Sequence, residues 1–243
     1  MPRPAFVQRE RRKIVERSRI GEVVFGMQDG ITSTVSVVSS MVAGQQPNSV
    51  ALFVGSAAAI AGMWSMAVGS FVASRARADV SRVEVARERA RIEAAPKHER
   101  DELEAIYRSH GMTQRMAHDA AAHVARDPSR LLDIMASEEF GVESSQKTNP
   151  VKDSMAMAVS FLGGAAVPIF PYALFAQRIA FVVSIAIAYT ALFAIGVAKA
   201  HVIGTHVWRS GVQVLALGGA AAALGYLFGT ILPRLFGVHV VTG

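Results

Sequence analysis

Apolar residues in this 243-residue chain fall into five long runs, and one extended polar block separates the second run from the third. The runs are about Ile20–Ala43, Val50–Ala73, Ser154–Ala176, Ile179–Ala200 and Gly211–Leu232. A helix crossing a bilayer needs roughly 20 mostly apolar residues, so each run is long enough to span. Gly44 to Ser49 has the composition of a turn, and a second short link runs from Pro171-Tyr172 to Arg178. Tight links of this kind make the flanking spans antiparallel hairpins. The polar block, Ser74 to Asp153, has helical periodicity. It first continues the second run to about Ala95, where Pro96 interrupts. Lys97 to Ser109 follows as a helix stopped by His110-Gly111. Thr113 can cap a helix from Gln114 to Ala125. Asp127-Pro128 opens another, which reaches Phe140 and ends at Gly141. Ser144 to Pro150 reads as a polar linker. The pattern predicts an all-α membrane protein with five transmembrane helices and a helical insert between helices two and three. The expected divisions are 1–19, 20–73, 74–153 and 154–243: a basic start, two spans, the insert and three spans.

Charge orients this arrangement. All 19 acidic residues lie at or before Asp153, and the last 90 residues carry none. Seven Lys or Arg precede the first span, 14 lie between spans two and three, and Lys199 and Arg209 lie between spans four and five. Only Arg178 and Arg234 fall on the opposite side. Basic residues collect on the cytoplasmic face, so the N-terminus and the insert are expected in the cytoplasm and the C-terminus outside. The formal net charge of +6 does not point to nucleic acid, because the bases flank spans or alternate with acids. The chain has no cysteine, which excludes disulfides, thiolate metal sites and thiol catalysis. The basic start lacks a small-residue cleavage site, and a bacterial inner membrane is the expected location. No nucleophile–base pair or phosphate-cradling loop is evident, so an enzyme is not expected.

Candidate chemistry lies in two places. In the first span, Asp29 sits at membrane depth, where an ionised carboxylate is costly unless paired or hydrated. Glu22, seven residues earlier, shares nearly the same face about 10 Å closer to the cytoplasm. Together they suit a cation route; an Asp kept neutral or hydrogen-bonded by Thr32 or Ser33 would give the same residues. Met63 and Met66 lie one turn apart in the second span, and Met155 and Met157 begin the third, either as apolar filler or as thioether contacts. In the insert, Glu84 and Glu88 share a face, as do Glu99 and Glu102, and Glu138 and Glu139 follow Met135. Carboxylates on several short helices can converge on a divalent cation. Arg87 and Arg91 stand one turn from Glu84 and Glu88, so a solvated, salt-bridged helix is the competing reading. His118 and His123, five apart, read as surface residues. Gly225 and Gly229 permit close helix contact, either within the subunit or in a dimer.

Several of these segments resemble the vacuolar iron transporter family in the family's order. Gly26-Met27-Gln28-Asp29-Gly30-Ile31-Thr32-Ser33-Thr34 is similar to its first-span Asp-Gly motif, and Ala61-Gly62-Met63-Trp64-Ser65-Met66-Ala67-Val68-Gly69 to its second-span signature. Glu99 to Tyr107 with His110-Gly111-Met112, and Met135 to Gly141, resemble segments of its insert. Asn149-Pro150 through Pro168 resembles its third span.

The resemblance implies a homodimer of five-span subunits that exchanges a divalent cation, Fe²⁺ or Mn²⁺, for protons, with no prosthetic group. Carried over by motif, Asp29 is the translocation carboxylate and Met66 its thioether partner. Glu88, Glu99, Glu102, Met135 and Glu139 fall on metal-binding positions of the insert, with Glu84 near them. Three departures stand out. The second-span positions where relatives carry a glutamate hold Ala58 and Ser70, an insert glutamate position holds Arg91, and the second of a Met pair is Ala136. The expected function is export of a divalent metal from the cytoplasm, the alternative a non-transporting membrane metal sensor or scaffold.

Overall fold

The computed structural model describes residues 5–140 and 149–236, and every element in them is helical. In chain order the helices are α1 (Ala5–Ala43), α2 (Asn48–Ala94), α3 (Pro96–Ser109), α4 (Gln114–Val124), α5 (Pro128–Phe140), α6 (Pro150–Leu174), α7 (Gln177–Ile203) and α8 (Val207–Phe236). The expected stop at Gly141 and most of the Ser144–Pro150 linker lie outside the described residues. Two compact units form, divided within α2 between Phe71 and Val72. One contains α1, the first part of α2, α6, α7 and α8. The other contains the rest of α2 with α3, α4 and α5.

Four helices among the described residues, α2, α6, α7 and α8, are long and apolar enough to cross a membrane. α1 is not among them, because Glu22, Gln28, Asp29 and a series of Ser and Thr dilute its apolar stretch. Instead α1 is the packed helix of its unit. Its Ile31 and Val35 are fully buried among Ala188, Leu192 and Ile195 of α7 and Val214 and Ala222 of α8. Small residues bring backbones together here. A Cβ on Gly30 would strike the Phe161 carbonyl of α6, and one on Gly164 would strike the Met27 carbonyl of α1. Gly225 and Gly229 of α8 lie against the Ser36 and Ser40 carbonyls of α1, so this glycine pair serves packing within the chain.

The turns follow local chemistry. α1 ends as Gln45 takes a left-handed conformation (φ 56°), and the Gly44 N–H still reaches the Ser40 carbonyl at 2.9 Å. The Asn48 amide donates to the Phe175 carbonyl at 2.7 Å, joining the α1–α2 turn to the α6–α7 turn. That second turn is shorter than the sequence suggests. Pro171-Tyr172 does not begin a loop; both Pro168 and Pro171 lie inside α6, which runs to Leu174. Helices long and apolar enough to span a membrane tolerate internal proline. Both prolines are buried, the Ser184 hydroxyl donates to the Pro168 carbonyl at 2.7 Å, and the Phe175 N–H donates to the Pro171 carbonyl at 2.9 Å.

Neighbouring glycines on α6 give a direct test of this packing. Gly164→Ala is expected to destabilise the detergent-solubilised protein by ~2 kcal/mol, because the new methyl meets backbone rather than a movable side chain. Gly163 has open space around it, so Gly163→Ala should shift stability by less than about 0.5 kcal/mol. Thermal melting monitored by tryptophan fluorescence compares the two.

Candidate functional site

In the unit formed by α2, α3, α4 and α5, each candidate carboxylate continues an apolar stripe. Val85, Glu88 and Ile92 share a face of α2, Glu99 and Leu103 a face of α3, and Leu131, Met135 and Glu139 a face of α5. Ile92, Leu103, Ala121, Val124, Leu131, Leu132 and Met135 make the local core, with Met135 fully buried. Pro96 at the first turn starts α3 and fixes where Glu99 falls. Asp127 caps α5 by accepting from the Ser129 N–H at 3.0 Å, the Ser129 hydroxyl at 2.6 Å and the Arg130 N–H at 3.3 Å. These bonds, the hydroxyl's foremost, hold the Asp127 carboxyl below its ordinary range.

The stripes meet at one point. One oxygen from each of Glu88, Glu99 and Glu139 lies within 4.8 Å of the others. Glu88 is 0% exposed and Glu99 1%. Glu88 Oε1 and Glu99 Oε2 are buried without a hydrogen-bond partner. An unsatisfied buried acceptor costs ~1–3 kcal/mol, and more when charged. Arg91 is the basic group at the cluster, donating to Glu88 Oε2 and, at 2.8 Å, to Glu139 Oε2. Burial foremost, then the Glu88 charge, raises the Glu99 carboxyl above its ordinary range; Glu102 adds to this and Arg91 opposes it. Glu139 is raised by the same causes in the same order of importance: burial, then Glu88, with Arg91 again opposing. Hard carboxylate oxygens beside a buried thioether-bearing helix face suit a divalent cation such as Fe²⁺ or Mn²⁺.

Other candidate residues of the insert are not among the three whose oxygens meet. Glu102 is half-buried, one turn beyond Glu99. Glu84 pairs with Arg87 at 2.9 Å and is not in the cluster. His118 is exposed and bonded through Nδ1 to Glu104 at 2.8 Å, and His123 is exposed. Arg91's contact with Glu139, 48 residues away, carries no local sequence signal.

In the other unit, Asp29 and Glu22 are half-buried on α1. The Thr32 and Ser33 hydroxyls donate back to the main-chain carbonyls of Gln28 and Asp29, each at 2.7 Å. Met63 and Met66 pack on the cluster of Ala59, Phe161 and Ala165. Gly30, beside Asp29, rests on the backbone of the same Phe161 and Ala165. One stretch of α6 thus touches both Met66 and the residue next to Asp29. Met157 is buried and Met155 exposed. Ala58 and Ser70 are half-buried, and no acid occurs between Asp29 and Asp79.

A raised carboxyl pKa means that the native state holds its proton to a higher pH than the unfolded chain. The contribution of Glu99 to stability is then greatest at acid pH and falls as pH rises from about 4.5, the ordinary glutamate value, through the raised one. In chelator, Glu99→Gln should therefore melt higher than the unsubstituted protein at neutral pH, with the difference closing toward pH 4.5. Added Mn²⁺ should raise the melting temperature of the unsubstituted protein and not that of Glu99→Gln. Melting curves across pH, with and without metal, read both effects.

Known proteins bear directly on this arrangement. The model of the VIT family matches residues 20–230. The chain is 27% identical over 208 residues to "Vacuolar iron transporter 1" of Oryza sativa subsp. japonica, covering 85% of this chain and 82% of that protein. It is 26% identical over 216 residues to "Vacuolar iron transporter 1" of Arabidopsis thaliana, covering 88% and 86%. A "Vacuolar iron transporter" of Toxoplasma gondii (strain ATCC 50861 / VEG) is 25% identical over 228 residues, covering 90% and 76%. These matches run through both units, and the chain belongs to the VIT family.

Proposed function

We propose that this multi-pass membrane protein transports a divalent metal cation, Fe²⁺ or Mn²⁺, out of the cytoplasm in exchange for protons. The observation that carries the reading is the buried convergence of Glu88, Glu99 and Glu139, with two carboxylate oxygens lacking partners. Its relatives are named as iron transporters. The insert, cytoplasmic by the distribution of basic residues, collects the ion on Glu88, Glu99 and Glu139, aided by Glu102 and Met135. Glu84 lies at the edge of this set. The ion then passes Glu22 to Asp29 and Met66.

α1 acts as the fifth span. Its burial among α7 and α8, both of spanning length, supports this, since a helix packed along spanning helices crosses with them. The face of α1 carrying Glu22, Asp29 and the exposed Ser33 is too polar to meet lipid, which supports a second subunit or water opposite it. Protons arriving from outside neutralise Asp29 and release the ion, because a protonated carboxyl is a poor ligand. With Ala58 and Ser70 on α2, Asp29 carries this exchange without a second-span acid.

Proteoliposomes with an imposed pH gradient test the reading. Fe²⁺ or Mn²⁺ flux should follow the gradient and fall to the level of empty liposomes in Asp29→Asn. Equal flux in the two proteins, or none in either, would sink it. The missing α2 acid favours one other reading, a membrane metal sensor, which requires metal binding without flux.

A further inference from the structure

Arg91 engages two of the three carboxylates that a metal ion at the cluster would need. Its guanidinium bonds Glu88 on its own helix and Glu139 on α5, so two of the three carboxylates are already engaged by a cation. The engagement is incomplete. Glu88 Oε1 and Glu99 Oε2, on side chains 0% and 1% exposed, remain buried without a partner. Three clustered carboxylates against one guanidinium leave an excess of negative charge, and nearby Glu102 adds to it. The two partners of the ion pairs also differ in freedom. Glu88 is enclosed, whereas the Arg91 side chain is 49% exposed. Arg91 can leave for water without opening the core, while Glu88 and Glu99 cannot.

We propose that Arg91 is a built-in competitor for the metal site: a divalent cation loads the cluster by displacing its guanidinium, which frees Glu139 to become a ligand. This rests on the reading that the cluster takes metal. Both cations seek the same oxygens; the guanidinium bonds Glu88 and Glu139, whereas a divalent ion can draw in Glu99 as well. The arginine holds the empty cluster together and sets a threshold. The insert fills only when metal is concentrated enough to outcompete a tethered cation, and the returning guanidinium helps eject the ion.

Mn²⁺ is the probe, titrated into the detergent-solubilised full chain. The free-ion electron paramagnetic resonance signal reports binding. Arg91→Gln should bind Mn²⁺ at least about ten-fold tighter, since the competing charge-assisted bonds are gone. Arg91→Lys, which keeps the charge but loses the two-pronged donor, should gain less, and Glu99→Gln should lose most binding. In chelator, Arg91→Gln should melt lower than the unsubstituted protein, yet its Mn²⁺-induced rise should be larger. Arg91→Lys keeps the test open should Arg91→Gln fail to fold, because it too must bind more tightly than the unsubstituted chain. Unchanged or weaker Mn²⁺ affinity in the arginine variants, with Glu99→Gln still defective, overturns the competitor role and leaves the metal-collecting reading standing. No Mn²⁺ binding by either the unsubstituted chain or the arginine variants overturns both.

Discussion

A charge removed from water must be met by another charge, by hydrogen bonds or by a metal, and this constraint governs both units. α1 carries Glu22 and Asp29 and therefore cannot present its whole circumference to hydrocarbon. The fold answers by packing α1 against α6 and α8 at backbone distance and against α7 through side chains. Gly30, Gly164, Gly225 and Gly229 make that approach possible, and each is a place where a methyl group would meet a main chain. The most polar helix of this unit is thereby set among its strongly apolar ones.

The smaller unit handles the same constraint differently. Its core is apolar from Ile92 to Met135, yet Glu88 and Glu99 are as buried as the leucines beside them. Hydrophobic burial of neighbours one turn away places these acids, rather than any attraction between them. Burial first and the neighbouring Glu88 charge second raise the pKa of Glu99 and Glu139, and Arg91 opposes only part of this. Such a cluster is poorly satisfied alone and well suited to binding a cation.

Much of the helix order can be read along the chain because its boundaries are locally coded. Pro96 does open α3, Thr113 does cap α4 through the Met116 N–H, and Asp127-Pro128 does open α5. Gly111, with φ +90°, lies in the turn where a helix stop is expected. Where tertiary packing decides, local reading fails. Pro171 looks like a loop signal, yet packing keeps it inside α6. The Gly225–Gly229 step reads equally as a dimer contact until α1 is found against it. The site divides in the same way. Spacing puts Glu84 and Glu88 on one face, but only the fold separates them, giving Glu84 to Arg87 and Glu88 to the cluster. The pairing of Arg91 with Glu139 depends on how α2 meets α5, and neither helix announces it.

The bond from the Asn48 amide to the Phe175 carbonyl has a mechanical consequence. It fastens two helical hairpins together at their tips, so the α1–α2 and α6–α7 pairs share a hinge point at that end. Any rocking that parts the tips must first break this bond, at a cost of about 1 kcal/mol. The turn between α7 and α8 is built otherwise. There Gly204, with φ +80°, adjoins an open polar cavity lined by Lys199, Thr205, His206 and Arg209. The clasp adds one bond to whatever packing already resists separation at that end, and the α7–α8 turn has an open recess instead.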